Sequence, residues 1–327
     1  MTSTTTQEKI LVIGALGQIG LELIEALREK YGKTQVIASD LREKATVDMP
    51  DYVSLDVLDK PALYRLLEAE EITTIYNLAA ILSARGEQNP VKAWEVNMDS
   101  LFNSLEALRE TKAKKLFWPS SIAVFGPHAP AQDTPQHATT DPNTVYGISK
   151  LAGERWCEYY AQKYGVDVRS LRYPGLIGYK ANPGGGTTDY AVDIFHQAVQ
   201  HGAYTAYLAP ETSLPMMYMP DAIRATILLM EAPPERIRIR SSYNLSGLSV
   251  SPRQLAQAIR EHLPHFNCSY EPDFRQKIAD SWPDSINDTE ARQDWGWQPE
   301  FNLQNMTEDM LLHIRQKYLS ETTKGVG

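Results

Sequence analysis

The chain has 327 residues and a formal charge of −9, from 32 basic and 41 acidic side chains; 43% of it is hydrophobic. That is the make-up of a globular protein with a sizeable core, enough for about two domains or one large α/β domain with an appendage. The acidic balance excludes broad binding to nucleic acid, and no apolar run reaches the ~18 residues of a membrane helix. Two cysteines, Cys157 and Cys268, exclude a disulfide framework, so a reducing, cytoplasmic setting is expected.

Residues 1–8 are Thr-rich and read as a flexible tail, without the features of a signal or transit peptide. Strands are predicted at 10–13, 36–38, 52–55, 74–77, 115–118 and 168–171. Between them, residues 18–30, 60–68, 90–109 and 145–164 carry apolar residues at helical spacing. Strands separated by amphipathic helices read as βαβ units. Strands apolar throughout suit a parallel sheet covered on both faces. Pro183-Gly184-Gly185-Gly186 is a loop signal, after which the rhythm changes. A helix is predicted at 189–200, a short strand at 216–219 and a second helix at 220–230, with Pro220 where a helix start tolerates it. A third helix runs from Ser251-Pro252 to about 262, and an amphipathic helix at 302–316 closes the chain. The expected fold is a doubly wound parallel sheet over residues 9–180, followed by a smaller mixed lobe over 181–327 that returns some elements to the sheet.

Gly14-Ala15-Leu16-Gly17-Gln18-Ile19-Gly20 follows the first strand and opens the first helix. Gly14 permits the tight turn, Gly17 lets backbone amides approach a pyrophosphate at the helix start, and Gly20 lets helix and strand pack closely. Twenty residues after Gly20, Asp40 stands at the end of the second strand. An acid there hydrogen-bonds ribose hydroxyls and repels a 2′-phosphate. The pattern predicts a Rossmann dinucleotide site selective for NAD over NADP, with Arg42 as the neighbouring cation able to favour a phosphate.

Tyr146-Gly147-Ile148-Ser149-Lys150 puts a phenol and an ammonium on one helix face. The ammonium is expected to lower the phenol pKa, so that Tyr146 accepts a proton from an alcohol while hydride leaves its carbon. Ser120 and Ser121 follow the strand at 115–118, at the edge where α/β sheets bind ligands, and either hydroxyl suits the substrate oxygen. Ser83 lies just beyond the strand at 74–77, within reach of the same pocket. In the glycine loop, Gly186 and Thr187 offer an approachable backbone and a hydroxyl beside a helix start, which suits a carboxylate.

As an ordered set, the spaced glycines, Asp40, Asp56-Val57, Asn77-Leu78-Ala79-Ala80, Ser121 and Tyr146-x-x-x-Lys150 resemble the extended short-chain dehydrogenase/reductase family. The resemblance implies that Asp56 and Val57 contact adenine. Leu78, Ala79 and Ala80 would line the nucleotide, with Gln18, Ile19 and Asn97 in the same cofactor set. Lys150 would hold the nicotinamide ribose, and Tyr173, Pro174 and Leu176 would flank the carboxamide. It favours Ser121 over Ser120 as the catalytic hydroxyl.

A narrower likeness spans the whole chain. Phe117-Trp118-Pro119-Ser120-Ser121, Gly184-Gly185-Gly186-Thr187-Thr188-Asp189, Pro215-Met216-Met217-Tyr218-Met219 and Glu271-Pro272-Asp273-Phe274-Arg275-Gln276 are similar to the zinc-independent, short-chain type of L-threonine 3-dehydrogenase. This implies NAD-dependent oxidation of L-threonine to 2-amino-3-oxobutanoate in threonine catabolism, and a homodimer through the helices at 90–109 and 145–164. Histidines and cysteines do not stand at zinc spacing, so no metal is expected. Trp282 reads equally as a pocket cap or a structural indole. Two rivals remain: a nucleotide-sugar epimerase or dehydratase of the same family, and an NAD-sensing regulator without turnover, which has no need of the Tyr146/Lys150 pair.

Overall fold

The computed structural model describes residues 8–182 and 186–324. Its strands are β1 (Ile10–Ile13), β2 (Val36–Asp40), β3 (Tyr52–Ser54), β4 (Thr74–Asn77), β5 (Lys115–Phe117), β6 (Ser120–Ser121), β7 (Asp167–Arg169), β8 (Leu171–Tyr173), β9 (Gly175–Ile177), β10 (Ala203–Ala206), β11 (Leu214–Tyr218), β12 (Tyr243–Asn244), β13 (Leu248–Val250) and β14 (Asn267–Tyr270). The helices are α1 (Gln18–Tyr31), α2 (Lys60–Ala69), α3 (Ser83–Gly86), α4 (Pro90–Glu110), α5 (Val145–Tyr164), α6 (Tyr190–His201), α7 (Met219–Glu231), α8 (Pro252–His262), α9 (Arg275–Ala279), α10 (Thr289–Trp295) and α11 (Leu303–Lys324).

Six strands form a parallel sheet in the order β3-β2-β1-β4-β5-β7. Alternate side chains of each strand leave on opposite faces. Accordingly Ile10 and Val12 pack with Leu23 and Leu27 of α1 and Ile223 and Leu229 of α7. Leu11 and Ile13 pack with Leu63 of α2, Leu101 and Leu105 of α4 and Cys157 of α5. A third core belongs to the C-terminal elements, where Phe195, Leu255, Ile259, Met306 and Ile314 meet. Strand order reverses between β1 and β4, and in such sheets ligands bind beyond the strand ends at that point.

Two predicted strands are each shorter than expected and hand over to a second sheet. The run at 115–118 ends at Phe117, and the chain re-enters as β6; the run at 168–171 divides into β7 and β8. Pro119, which has no amide hydrogen to give a ladder, stands at the first break. β6 and β8 then pair in a three-stranded sheet, β12-β8-β6, whose third strand comes from far along the chain. Another C-terminal strand, β11, pairs with β9 in parallel and β13 antiparallel. Helices α6, α7 and α8 appear within a few residues of their predicted limits, and α8 is opened by a reciprocal capping box of Ser251 and Gln254. The short elements β10, β14, α9 and α10 carry no period long enough to be read from sequence. Among the described residues no helix is long and apolar enough to cross a membrane. Both cysteines are free and buried. The tail at 1–7 and the loop residues Pro183, Gly184 and Gly185 lie outside the described residues.

Candidate active site

A cleft of about 680 Å³ opens at the strand-order reversal. One wall is the turn after β1. Gly14 has φ +79°, and the amides of Gly14 and Ala15 donate to the Ser39 carbonyl at 2.9 and 3.0 Å. A Cβ at Gly20 would lie 2.3 Å from the Gly14 carbonyl oxygen, so only glycine lets α1 start this close to its strand. No side chain caps α1, and Gly17, Gln18, Ile19 and Gly20 all line the cleft. The Asp40 carboxylate is fixed at the edge of this turn by the amides of Leu16 (3.1 Å) and Leu41 (2.8 Å). An uncapped helix start suits a pyrophosphate and an anchored carboxylate suits a ribose diol, so these residues fit a dinucleotide.

The floor is built by α5 and β6. Thr144 caps α5 by accepting from the Gly147 amide at 3.1 Å, which begins the helix immediately before Tyr146. Ser121 ends β6 with its Oγ accepting from the Ala123 amide at 3.2 Å. Neighbouring residues of a strand point to opposite faces. The Ser120 hydroxyl accordingly donates to the buried Glu154 carboxylate at 2.7 Å, while the Ser121 hydroxyl acts on the Tyr146 phenol and partly offsets the rise in its pKa. The Lys150 ammonium donates to the Pro119 carbonyl at 2.6 Å and sits 4.3 Å from the Trp118 ring and 5.5 Å from the Tyr146 ring.

The electrostatics depart from the sequence expectation. Burial pushes the Tyr146 phenol up to about 12, and the group offsetting that rise is the Ser121 hydroxyl, not Lys150. Burial pulls the Lys150 ammonium down to about 7, against the opposing influence of Cys157 and Glu154. The expected lowering of the phenol by Lys150 is therefore absent from this arrangement, because the ammonium is turned to Pro119. Burial likewise raises the Tyr173 phenol, which the Thr226 hydroxyl partly counters.

The opposite wall comes from distant segments. Ser83 of α3 and Thr187 bring their hydroxyl oxygens to 3.4 Å. The Gly186 amide donates to Asp189 Oδ2 at 2.8 Å, and Trp282 closes the lining on this side.

Most of the predicted site residues meet in this one cleft: Gly14, Gly17, Gln18, Ile19, Gly20, Leu78, Ala80, Ser83, Ser120, Ser121, Tyr146, Lys150, Tyr173, Pro174, Leu176, Gly186 and Thr187; Asp40 stands at its rim, outside the lining. Others stand behind it. The Ala79 amide donates to Asn77 Oδ1 at 3.1 Å, and Val57 is in the core below α4. Asp56 is exposed and holds the Leu58 amide at 2.9 Å. Asn97 is buried; it accepts from the Ile81 amide at 2.7 Å and donates to the Ile81 carbonyl and Ser149 Oγ, so it shapes the loop after β4 and does not line the cleft. Arg85, Gln88, Asn89 and Pro119 line the cleft without having been singled out from sequence as site residues. The first three follow Ser83 within six residues, which is the one signal that pointed to them. Asp189 is the carboxylate of the lining, and it ends the Gly-Gly-Gly-Thr-Thr-Asp run.

Residues 10–245 match the model of the NAD dependent epimerase/dehydratase family. An uncharacterized epimerase/dehydratase of Staphylococcus haemolyticus is 47% identical over 95% of this chain and 98% of its own. Among solved structures, a GalE-like L-threonine dehydrogenase from Cupriavidus necator in its holo form is 55% identical, with a TM-score of 0.92 over 94% of this chain and 99% of its own. A monomeric, metagenome-derived L-threonine 3-dehydrogenase is 50% identical, with a TM-score of 0.91 over the same shares of the two chains.

Proposed function

The chain belongs to the NAD-dependent epimerase/dehydratase family, with NAD as its cofactor, and from that premise we propose that it oxidises the C3 hydroxyl of L-threonine to 2-amino-3-oxobutanoate. The observation that carries this reading is the likeness, along nearly the whole chain, to solved L-threonine dehydrogenases. The cleft supports it, because its far wall is made of small polar groups suited to a short zwitterion.

NAD, when bound, supplies the hydride acceptor. The α1 amides and Asp40 hold its pyrophosphate and ribose ends, and Lys150 holds the ribose next to the reacting carbon. Ser121 donates to the substrate hydroxyl oxygen and orients it at Tyr146. The Tyr146 phenolate takes the hydroxyl proton as the C3–H bond gives up its electron pair as hydride, which leaves a ketone. Ser120 is spent on Glu154, which favours Ser121 for this role. Asp189 suits the substrate ammonium, and the Thr187 and Ser83 hydroxyls suit its carboxylate. The regulator reading leaves the shared cleft of Ser121, Tyr146 and Lys150 without a purpose.

A panel of L-threonine, L-serine, D-threonine and a UDP-hexose, read by NADH formation, tests the proposal. L-Threonine should exceed L-serine by about 10–200-fold in kcat/KM, the worth of one methyl in an apolar pocket. D-Threonine should be nearly inert. Turnover confined to the UDP-hexose overturns the threonine reading in favour of an epimerase or dehydratase. The homodimer belongs to the same proposal, supported by Val91, Trp94, Ile148, Trp156 and Tyr159, which leave apolar surface exposed on α4 and α5. A monomeric mass by light scattering, as the name of one relative describes, overturns it.

A further inference from the structure

Beneath the catalytic floor lies a buried ionic network that the mechanism above does not use. Glu154 is one helical turn beyond Lys150 on α5 and is fully buried; Arg172 of β8 is 4% exposed. The two form a fork-to-fork pair, Nε to Oε1 at 2.8 Å and Nη2 to Oε2 at 2.7 Å. Oε1 also accepts from Ser120. Arg172 Nη1 donates onward to the Gln136 carbonyl (2.9 Å) and to Asn244 Oδ1 (3.1 Å) of β12. Asn244 in turn receives nothing from solvent: its amide donates to Gln136 Oε1, and its side chain to the Thr134 and Asn287 carbonyls.

A buried ion pair is a poor source of stability, since desolvation offsets most of its attraction. Its placement is more informative. Through Ser120 it grips the residue between Pro119, which holds Lys150, and Ser121, which lines the cleft with Tyr146. Through β8 and β12 it joins that strand to the C-terminal elements. We propose that Glu154 and Arg172 are positioning residues for the catalytic floor: Glu154 keeps the Lys150 ammonium charged and, with Arg172, fixes the Pro119–Ser121 segment against α5. The proposal rests on the reading that charged Lys150 holds the cofactor ribose.

Among the described residues, few groups act on Lys150. Cys157 and Glu154 of its own helix act on its charge, the Tyr146 ring is 5.5 Å from the ammonium, and Tyr173 of β8 shares the cleft lining with it. Burial raises the phenols of Tyr146 and Tyr173 and the thiol of Cys157, so all three stay neutral near pH 7. Glu154 is then the standing negative charge opposing the desolvation of Lys150. Glu154→Gln removes that charge and leaves Arg172 positive nearby, so Lys150 should lose its proton at lower pH.

The test is NADH affinity against pH, read by fluorescence, on the wild-type protein, Glu154→Gln and the double variant Glu154→Gln/Arg172→Gln. Wild-type affinity should weaken as pH rises through a midpoint of about 7, where Lys150 gives up its proton. In Glu154→Gln that midpoint should move acidward by about 1 pH unit. In the double variant, which restores neutrality, it should fall between the other two. Glu154→Gln strands a buried guanidinium and is the variant at risk of not folding; the double variant then carries the test alone. An unshifted midpoint in whichever variant folds, with only a lower melting temperature, overturns the proposal, as does wild-type binding that ignores pH. Because NADH binding needs no amino acid, shifted midpoints without L-threonine turnover would sink the threonine reading and leave this inference standing.

Discussion

The two walls of the cleft are built in opposite ways. The cofactor wall uses residues close in sequence, Gly14, Gly17, Gln18, Ile19 and Gly20, with Asp40 anchored at their rim, on a regular β1-α1-β2 unit; the Gly14 and Ala15 amides are tied directly to β2. The substrate wall gathers Ser83, Gly186, Thr187, Asp189 and Trp282 from segments up to about two hundred residues apart, mostly on turns. One wall is a local motif with a fixed partner, the shared chemistry of a dinucleotide. The other is assembled by tertiary contacts such as the Ser83–Thr187 approach, and is where a family that shares one cofactor chooses among substrates.

The sharpest break falls at the seam between the walls. Tyr146→Phe should cut turnover by about 10²–10⁴ and leave NADH affinity nearly intact, because the loss is of proton transfer alone. In the wild type, kcat should climb with pH above neutrality, since the phenol is held near 12 and its ionised fraction grows as pH rises. Equal turnover in the two proteins removes Tyr146 from the reaction.

On the cofactor wall alone, Asp40→Ser should weaken NAD by about 10–100-fold, the worth of hydrogen bonds to a charged group, and improve NADP relative to wild type. Steady-state KM values for both cofactors decide this. A wild type that already prefers NADP would shift attention to Arg42. On the substrate wall alone, Thr187→Ala should lower kcat/KM for threonine about fivefold, the net value of one hydrogen bond, without touching NADH affinity. If instead both ligands weaken, the walls are not separable as described.

The smallest effect is on stability. Glu22, on the buried face of α1, is 8% exposed, and burial raises its carboxyl to about 7 against the opposing influence of Lys180. Its folded pKa lies above its unfolded value of 4.5. The native state therefore binds more protons between those values, and stability falls as pH rises from about 4.5 to 7. Glu22→Gln should raise the melting temperature at pH 8 by roughly 2–4 °C and change it little near pH 4.5. A gain that is equal at both pH values would point to packing, not charge.

How much of the site was legible follows the same division. The glycine turn, Asp40 and Tyr146/Lys150 were readable because each is a spacing within one or two elements. Thr187 and Ser83 were readable only as polar groups near a loop or a strand end; that they meet at 3.4 Å was not. Arg85, Gln88 and Asn89 carry no periodic or motif signal, and they line the cleft only because the chain after β4 folds back over it.

By itself the sequence determined the βαβ order, the parallel sheet, the phosphate-binding turn and the helical face bearing Tyr146 and Lys150. These follow from periodicity and local backbone sterics, which act over a few residues. Tertiary structure decided three things that no local rule reaches. Ser120 and Ser121 are alike in sequence, and the buried Glu154–Arg172 pair takes the first and leaves the second to the cleft. The apolar run at 168–171 is divided between two sheets because its two ends find partners at β5 and β12. The proton affinities of Tyr146 and Lys150 run opposite to what their spacing alone implies, because desolvation depends on everything packed around a group, and the Pro119 carbonyl competes for the ammonium.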